Sequence, residues 1–357
     1  MLKIGIIGCG GIATGKHLPS LATLNNVEVI AFCDIIESKA IAAKEKFGTE
    51  DAKTYTNYKD LIADTSIDVV YVCTPNKSHA FITIDALESG KHVMCEKPMA
   101  KTTKEAMAMV DAAKASGKKL TIGYQNRFRV DSRHLAQACQ NGDLGHIYFA
   151  KAHAVRRRAV PTWGVFLNED EQGGGPLIDI GTHALDLTLW MMDNYKPKYV
   201  VGNVHHELSK KENAANAWGS WDPKAFTVED AAFGFVTMEN GATIFLESSW
   251  ALNTLEEGEA MTTLCGTEGG ADMKQGLRMN GERYSRLYDE KVITDAAGVA
   301  FYEGEGEDAA VVEAKHFIDC IIHDEEPIVK PEQALVVTQI LEAIYESART
   351  GKPVYFD

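Results

Sequence analysis

Lys3-Ile4-Gly5-Ile6-Ile7-Gly8-Cys9-Gly10-Gly11-Ile12-Ala13 begins as a short apolar run and passes without a linker into glycines. The apolar residues suit a strand buried on both faces. The residues after them spell G-x-G-x-x-A, in which Gly8 permits a tight turn, Gly10 lets a pyrophosphate approach the backbone and Ala13 lets the next helix pack close to the strand. The start of that helix offers unpaired N–H groups to phosphates. A second apolar run, Val27 to Cys33, ends in Asp34, close to the roughly 20-residue gap expected before the acid that binds an adenosine ribose. A carboxylate there accepts both ribose hydroxyls and repels a 2′-phosphate, and Ile35 and Ile36 follow where a phosphate would want Arg. Strand, turn, helix, strand and acid in register predict an NAD site, with NADP disfavoured. Its candidate contacts are Gly8, Gly10, Gly11, Ile12, Ala13 and Asp34.

A chain of 357 residues has room for about two domains, each with its own core. Thirty-six Lys and Arg stand against 51 Asp and Glu, for a net charge of −15, and that repulsion excludes nucleic acid and anionic membrane as expected partners. The seven cysteines include no C-x-x-C pair and no close Cys-His cluster, so neither a disulfide framework nor a metal site is expected. Cys9, Cys33, Cys73 and Cys95 fall near the ends of predicted strands and read as small buried apolar residues. Met1-Leu2 runs straight into the first strand, leaving no room for a signal peptide, and no apolar run approaches the ~20 residues of a membrane span. A cytoplasmic protein is expected.

Strands and helices alternate through the first third, as a parallel sheet covered on both faces requires. Strands are predicted at 67–73, 92–95 and 120–124, and helices at 38–47, 78–89 and 104–116, the last capped by Thr102 or Thr103 and stopped by Gly117. After Gln125 the rhythm changes to strands at 147–155, 199–208, 231–238, 242–250, 261–265 and 277–279. Asn240-Gly241 and Asn280-Gly281 read as two-residue turns of the primed type between antiparallel strands. Helices return at 309–323 and 332–349. The fold expected is α/β followed by α+β, residues 1–123 forming a dinucleotide domain and 124–357 a domain with a large, mainly antiparallel, open-faced sheet. That open face is available to a second subunit. Long inserts fall at 209–226 and 294–308, the latter acidic and read as a solvated loop.

Lys97 directly follows a parallel strand, at the sheet edge where ligands of open α/β folds bind, and an ammonium there is placed to stabilise a developing alkoxide. The second cluster is Gly173-Gly174-Gly175-Pro176-Leu177-Ile178-Asp179-Ile180-Gly181-Thr182-His183. The three glycines allow close approach to a ligand. A helix over 177–190 puts Asp179 and His183 four apart on one face, a pairing suited to orientation and proton transfer.

Gly8 to Ala13, Thr74-Pro75-Asn76 with His79, Glu96-Lys97-Pro98, Asp179 to His183, Val228-Glu229-Asp230 and Gly266-Thr267-Glu268-Gly269-Gly270 together resemble the successive motifs of the glucose-fructose oxidoreductase, inositol dehydrogenase and rhizopine catabolism (Gfo/Idh/MocA) family. The resemblance implies a Rossmann domain, an open-faced sheet domain, and NAD(P)-linked oxidation or reduction of a secondary hydroxyl on a sugar, cyclitol or glycoside, with a small-molecule sugar or polyol as substrate. Carried over by motif, His183 is the base, Lys97 polarises the hydroxyl oxygen and Asp179 holds substrate and His183 in register. Thr74, Pro75, Asn76, His79, Glu96 and Lys97 join the cofactor contacts. Arg127 matches a family position that reaches the substrate, although the residues alone equally allow a junction salt bridge. Arg157 and Trp163 are further substrate candidates. Strand alternation separates Arg157 from Arg156 and Arg158, and Trp163 suits either stacking on a sugar or core packing. His205-His206 has no partner at metal spacing. A homodimer or homotetramer is implied. Two other readings are an NAD-dependent glycoside hydrolase that oxidises its ring transiently and a non-catalytic NAD-sensing regulator.

Overall fold

The structure, a computed structural model, describes residues 1–293 and 308–356. Of the acidic stretch expected to be a solvated loop, all but Asp308 lies outside the described residues. Six parallel strands, β1 (Leu2–Ile7), β2 (Val27–Cys33), β3 (Lys53–Tyr55), β4 (Val69–Val72), β5 (His92–Cys95) and β6 (Leu120–Ile122), form a sheet in the order β3-β2-β1-β4-β5-β6. This is a doubly wound Rossmann sheet, and the order reverses between β1 and β4, where the crevice beyond the carboxyl ends of the strands receives ligands. All four residues of β4 are buried, which is why they read as an unbroken apolar run. The helix Thr103–Ser116 starts in a capping box between Thr102 and Glu105 and ends at Gly117, whose φ of 66° is left-handed.

The chain divides into two compact units. One is Met1–Gln125 plus the return of the chain as far as Leu335; the other begins at Asn126 and takes in Val336 onward. The expected single cut at 123/124 therefore misses a crossing. Helix Ala309–His323 belongs with the first unit because its apolar face, Ala314, Phe317 and Ile318, is buried in one cluster with Ile4, Ile6 and Tyr71. The Thr121 hydroxyl also donates to the Val329 carbonyl at 3.1 Å.

The second unit carries nine strands: β7 (Ile147–Val155), β8 (Pro197–His205), β9 (Ala231–Met238), β10 (Thr243–Ser249), β11 (Gly258–Gly266), β12 (Gly269–Asp272), β13 (Arg278–Arg283), β14 (Arg286–Lys291) and β15 (Val354–Tyr355). Their order is β14-β13-β12-β11-β7-β10-β9-β8-β15, antiparallel except for β7 beside β10. Both expected turns differ. Asn240-Gly241 sits in a three-residue loop closed by Gly241 N–H to the Met238 carbonyl at 2.9 Å, with only Gly241, at φ 86°, left-handed. Asn280-Gly281 lies inside β13, where Asn280 pairs with Asp289 and Gly281 with Tyr288. The two-residue turn there is Tyr284-Ser285, at φ 55° and 57°, because a Cβ at Gly281 would stand 2.9 Å from the Tyr288 hydroxyl: this glycine serves a neighbouring side chain, not a turn.

One face of the sheet is covered by helices. Ile344 presses so close that a Cβ on Gly202 or Gly234 would stand 2.7 or 2.5 Å from it. The other face exposes Val201, Phe235 and Phe245, and Phe245 meets both Phe149 and Phe235 at 5.3 Å between ring centroids.

Candidate functional site

In the first unit, Gly8 adopts φ 91°, and a Cβ there would lie 2.6 Å from the Cys73 carbonyl oxygen, so the turn admits glycine alone. At Gly10 and Gly11 a Cβ would meet nothing within 4 Å. Their smallness is thus not required by the protein's own packing, and it leaves the backbone open on the side a pyrophosphate would approach. Ala13 is fully buried at the head of a π-helical turn, Ala13–His17. The Asp34 carboxylate is fixed by N–H groups at both oxygens, from Cys9 at 2.9 Å and Ile36 at 2.8 Å, which ties the end of β2 to the glycine turn. Ile35 is 90% exposed and offers no charge to a phosphate. These residues fit NAD. Asp34→Ser combined with Ile35→Arg removes a like charge and adds a cation, so the ratio of NADP to NAD affinity should rise at least about tenfold; wild-type protein that binds the two equally in a titration overturns the assignment to Asp34.

From Val93 to Ala100 only Lys97 is not buried, so the strand end delivers one amine to the sheet edge. The Lys97–Pro98 peptide is cis. Glu96 points inward: Oε1 accepts Lys16 Nζ at 2.9 Å and lies 2.7 Å from His17 Nε2, while Oε2 accepts the Lys97 N–H at 3.1 Å. Burial opposes its charge, but the Lys16 ammonium and the His17 hydrogen bond hold the carboxyl well below its usual range. Lys16 also reaches Glu313 at 2.9 Å. His79 is equally internal, its ring nitrogens 2.7 Å from the Pro98 carbonyl and 2.8 Å from that of Thr74. Burial lowers its pKa, yet Cys95 and the two carbonyls outweigh this and push it up to about 9. Glu96 and His79, expected among the cofactor contacts, make these polar contacts within the protein and brace Lys97-Pro98 against the helix and turn on either side. Thr74-Pro75 leads into a short turn, Asn76–Ser78.

In the second unit, Leu177–Gly181 is a π-helical turn that runs into the α-helix Thr182–Met192. π-turns inside helices are frequent at functional sites. From Leu177 to Leu189 every residue is buried except Asp179 and His183. The expected pair therefore shares the one partly open strip of an otherwise buried run. Trp250, fully buried, donates its indole N–H to Asp179 Oδ2 at 3.0 Å. Sequence reasoning missed this tryptophan; its place at the end of a predicted strand was the available signal.

The glycines before this helix, expected to allow close approach of a ligand, answer to the protein's own packing. Gly173, at φ 81°, ends the helix Glu169–Gln172. A Cβ on Gly174 would stand 2.0 Å from the Tyr345 hydroxyl, and one on Gly175 2.3 Å from the Glu229 carbonyl oxygen. Glu229 anchors the turn: its carboxylate accepts Gly175 N–H at 2.8 Å, Leu177 N–H at 3.1 Å and the Tyr345 hydroxyl at 2.9 Å. Burial pushes this carboxyl up to about 7 against those three donors.

Arg127, expected to reach substrate, is 1% exposed. It makes a bidentate contact with Asp186, Nε to Oδ2 at 2.9 Å and Nη2 to Oδ1 at 2.6 Å, and lies over the Trp190 ring; this is a salt bridge within the second unit. Arg157 is exposed, its N–H bound to Glu257 at 2.8 Å. Of the arginine run it is Arg156 that feels the charge of Asp179, and Arg156 is paired with Glu259. Trp163 is 51% exposed. Among the described residues no group of acids, histidines and cysteines could hold a metal ion, and no helix is long and apolar enough to cross a membrane.

A glycine turn open to phosphates on a Rossmann sheet, joined to a sheet unit presenting an acid and an imidazole side by side, defines a dinucleotide-dependent oxidoreductase. The chain belongs to the Gfo/Idh/MocA oxidoreductase family: residues 2–124 match its NAD-binding Rossmann fold and residues 136–356 its C-terminal alpha/beta domain. NAD is the cofactor. D-glucoside 3-dehydrogenase of Escherichia coli (strain K12) is 35% identical over 356 residues, 99% of this chain and 97% of that protein. Inositol 2-dehydrogenase of Salmonella typhimurium is 32% identical over 198 residues, 55% of this chain and 56% of that protein. Among solved structures, aldose-aldose oxidoreductase from Caulobacter crescentus complexed with glycerol has a TM-score of 0.80 at 27% identity, covering 99% of both chains. Levoglucosan dehydrogenase in complex with NADH and levoglucosan shares the fold, with a TM-score of 0.83 at 23% identity over 99% of both chains.

Proposed function

We propose that the protein is an NAD-dependent dehydrogenase acting on a secondary ring hydroxyl of a sugar, most directly a glucoside. The observation that carries this reading is the Asp179–His183 pair, left partly open in the otherwise buried run over 177–189. The full-length similarity to a D-glucoside 3-dehydrogenase supports it. NAD, when bound, supplies the two-electron acceptor. His183 takes the proton of the reacting hydroxyl, a task for which an imidazole is suited near neutral pH. Lys97 donates from its ammonium to the same oxygen and stabilises the negative charge that develops there. Asp179, its Oδ2 held by Trp250, accepts from a second sugar hydroxyl and keeps substrate and imidazole in register.

Incubation with NAD and a panel of glucosides, free sugars and cyclitols, followed at ~340 nm where reduced nicotinamide absorbs, tests the reading. Stoichiometric NADH with the sugar left glycosidically intact is the expected result. Released sugar without NADH would identify a hydrolase, and binding of NAD without turnover of any sugar would identify a sensor; either outcome overturns the proposal.

The exposed Val201, Phe235 and Phe245 on the helix-free sheet face support a homodimer or homotetramer joined there, since contiguous apolar surface on a soluble protein marks an interaction site. Light scattering at micromolar concentration should give two or four chain masses, and Phe235→Lys with Phe245→Lys should lower that mass. A wild-type mass of one chain refutes the assembly.

A further inference from the structure

From the way two inserts of the second unit are bound together, we infer a second sugar subsite beyond Asp179, formed by Trp163 and Trp218. It rests on the glucoside reading above and extends it to disaccharides. Trp163 lies on the segment leaving β7, and Trp218 lies on the insert between β8 and β9. Asn216 clamps the two segments: its Oδ1 accepts Val160 N–H at 2.8 Å, and its Nδ2 donates to the Val160 carbonyl at 3.0 Å and to that of Gly219 at 2.7 Å. The Thr162 hydroxyl donates to the Trp218 carbonyl at 2.6 Å, and Ala217 N–H to the Arg158 carbonyl at 3.0 Å. The insert is thereby a fixed wall, positioned by polar bonds at its tip.

That wall presents apolar rings to water. Trp163 and Trp218 meet edge to face, 4.9 Å between centroids at 76°, and remain 51% and 43% exposed, whereas Trp221 and Trp250 are 6% and 0% exposed. Half-open indoles forgo hydrophobic stabilisation of roughly 25 cal/mol per Å², so ordering them at the surface is unfavourable unless something covers them. The rings lead back to the proposed site: Trp163 touches Phe166 at 5.9 Å, Phe166 touches Trp250 at 6.3 Å, and Trp250 holds Asp179. On the other side the Arg156 guanidinium lies 5.2 Å from the Trp218 ring centre and is paired with Glu259. A flat apolar group would suit indole faces alone. An apolar corner bordered by a donor fork and a carboxylate suits a pyranose, whose C–H face stacks on an indole while its hydroxyls meet the charged pair. In this proposal the reacting ring sits at Asp179 and a further ring of the same molecule stacks on the tryptophan corner.

The test compares kcat/KM for methyl α- and β-glucoside with that for maltose, cellobiose and trehalose, in wild type, Trp163→Ala, Trp163→Phe and Trp218→Ala. At least one disaccharide should exceed the methyl glucosides by roughly tenfold, the scale of one good ring stack. Trp163→Ala and Trp218→Ala should erase that advantage while leaving methyl glucoside kcat/KM within about twofold, which also shows that the variants fold, and Trp163→Phe should retain part of it. Equal loss on both substrate types, or no disaccharide preference in wild type, overturns the subsite. Tryptophan fluorescence titrated with the same disaccharides separates this idea from the dehydrogenase reading. If no sugar is oxidised, saturable quenching in wild type that Trp163→Ala abolishes still supports the subsite, and its absence refutes it.

Discussion

His183→Ala should lower turnover by a factor of about 10² to 10⁴, the usual contribution of a positioned general base, with NAD affinity unchanged. The imidazole and Asp179 are the two partly open side chains of an otherwise buried run over 177–189, and neither the glycine turn nor Asp34 is altered by its removal. Because proton removal would then fall to solvent, the lost activity should recover as pH rises, whereas a merely structural defect would not respond. Lys97→Ala should act on the same scale by removing the charge that stabilises the reacting oxygen, a contribution of several kcal/mol in comparable donor deletions. Near-wild-type turnover of His183→Ala across pH, measured on a substrate found in the absorbance screen, would show that the base lies elsewhere.

Glu229→Ala should produce a large loss of stability. It strands two buried backbone N–H groups and the partly buried Tyr345 hydroxyl, and each unsatisfied buried donor costs about 1–3 kcal/mol. The donors share one carboxylate, so their losses overlap, and a total of about 3–5 kcal/mol is expected. For a unit of this size that is roughly a 10 °C fall in melting midpoint, read by scanning calorimetry. Glu229→Gln keeps one acceptor oxygen but turns an amide toward an N–H, so its loss should be intermediate. The Gly174-Gly175 turn that Glu229 ties down leads directly to Asp179, so catalysis should fall in both variants even at temperatures where they stay folded. A midpoint within about 2 °C of wild type for the alanine variant would mean that the turn holds itself.

Much of the first unit was legible in the chain because its signals are local. A buried parallel strand reads as an apolar run, a turn too tight for a side chain reads as Gly8, and an acid at the end of β2 lies a set distance from that turn. The same holds for the Thr102 cap and for Asp179 and His183, four residues apart on a helix, where spacing alone puts two side chains on one strip. The limits appear where a residue answers to something distant in sequence. Gly281 looks like a turn and is a strand residue making room for Tyr288. Gly174 and Gly175 look like a ligand loop and make room for Tyr345 and Glu229. Arg127 allowed either a substrate contact or a salt bridge from its sequence, and it pairs with Asp186. Composition determined that the chain is acidic and apolar enough for two cores, and the order of Gly8 to Ala13 and Asp34 along the chain determined that it is built around a dinucleotide turn. Only the tertiary structure decided that the helix Ala309–His323 completes the first unit, that Trp250 holds Asp179, and that Trp163 stands open beside Trp218, since each depends on a partner some 50 or more residues away, and no local pattern records which distant side chain will fill a given space.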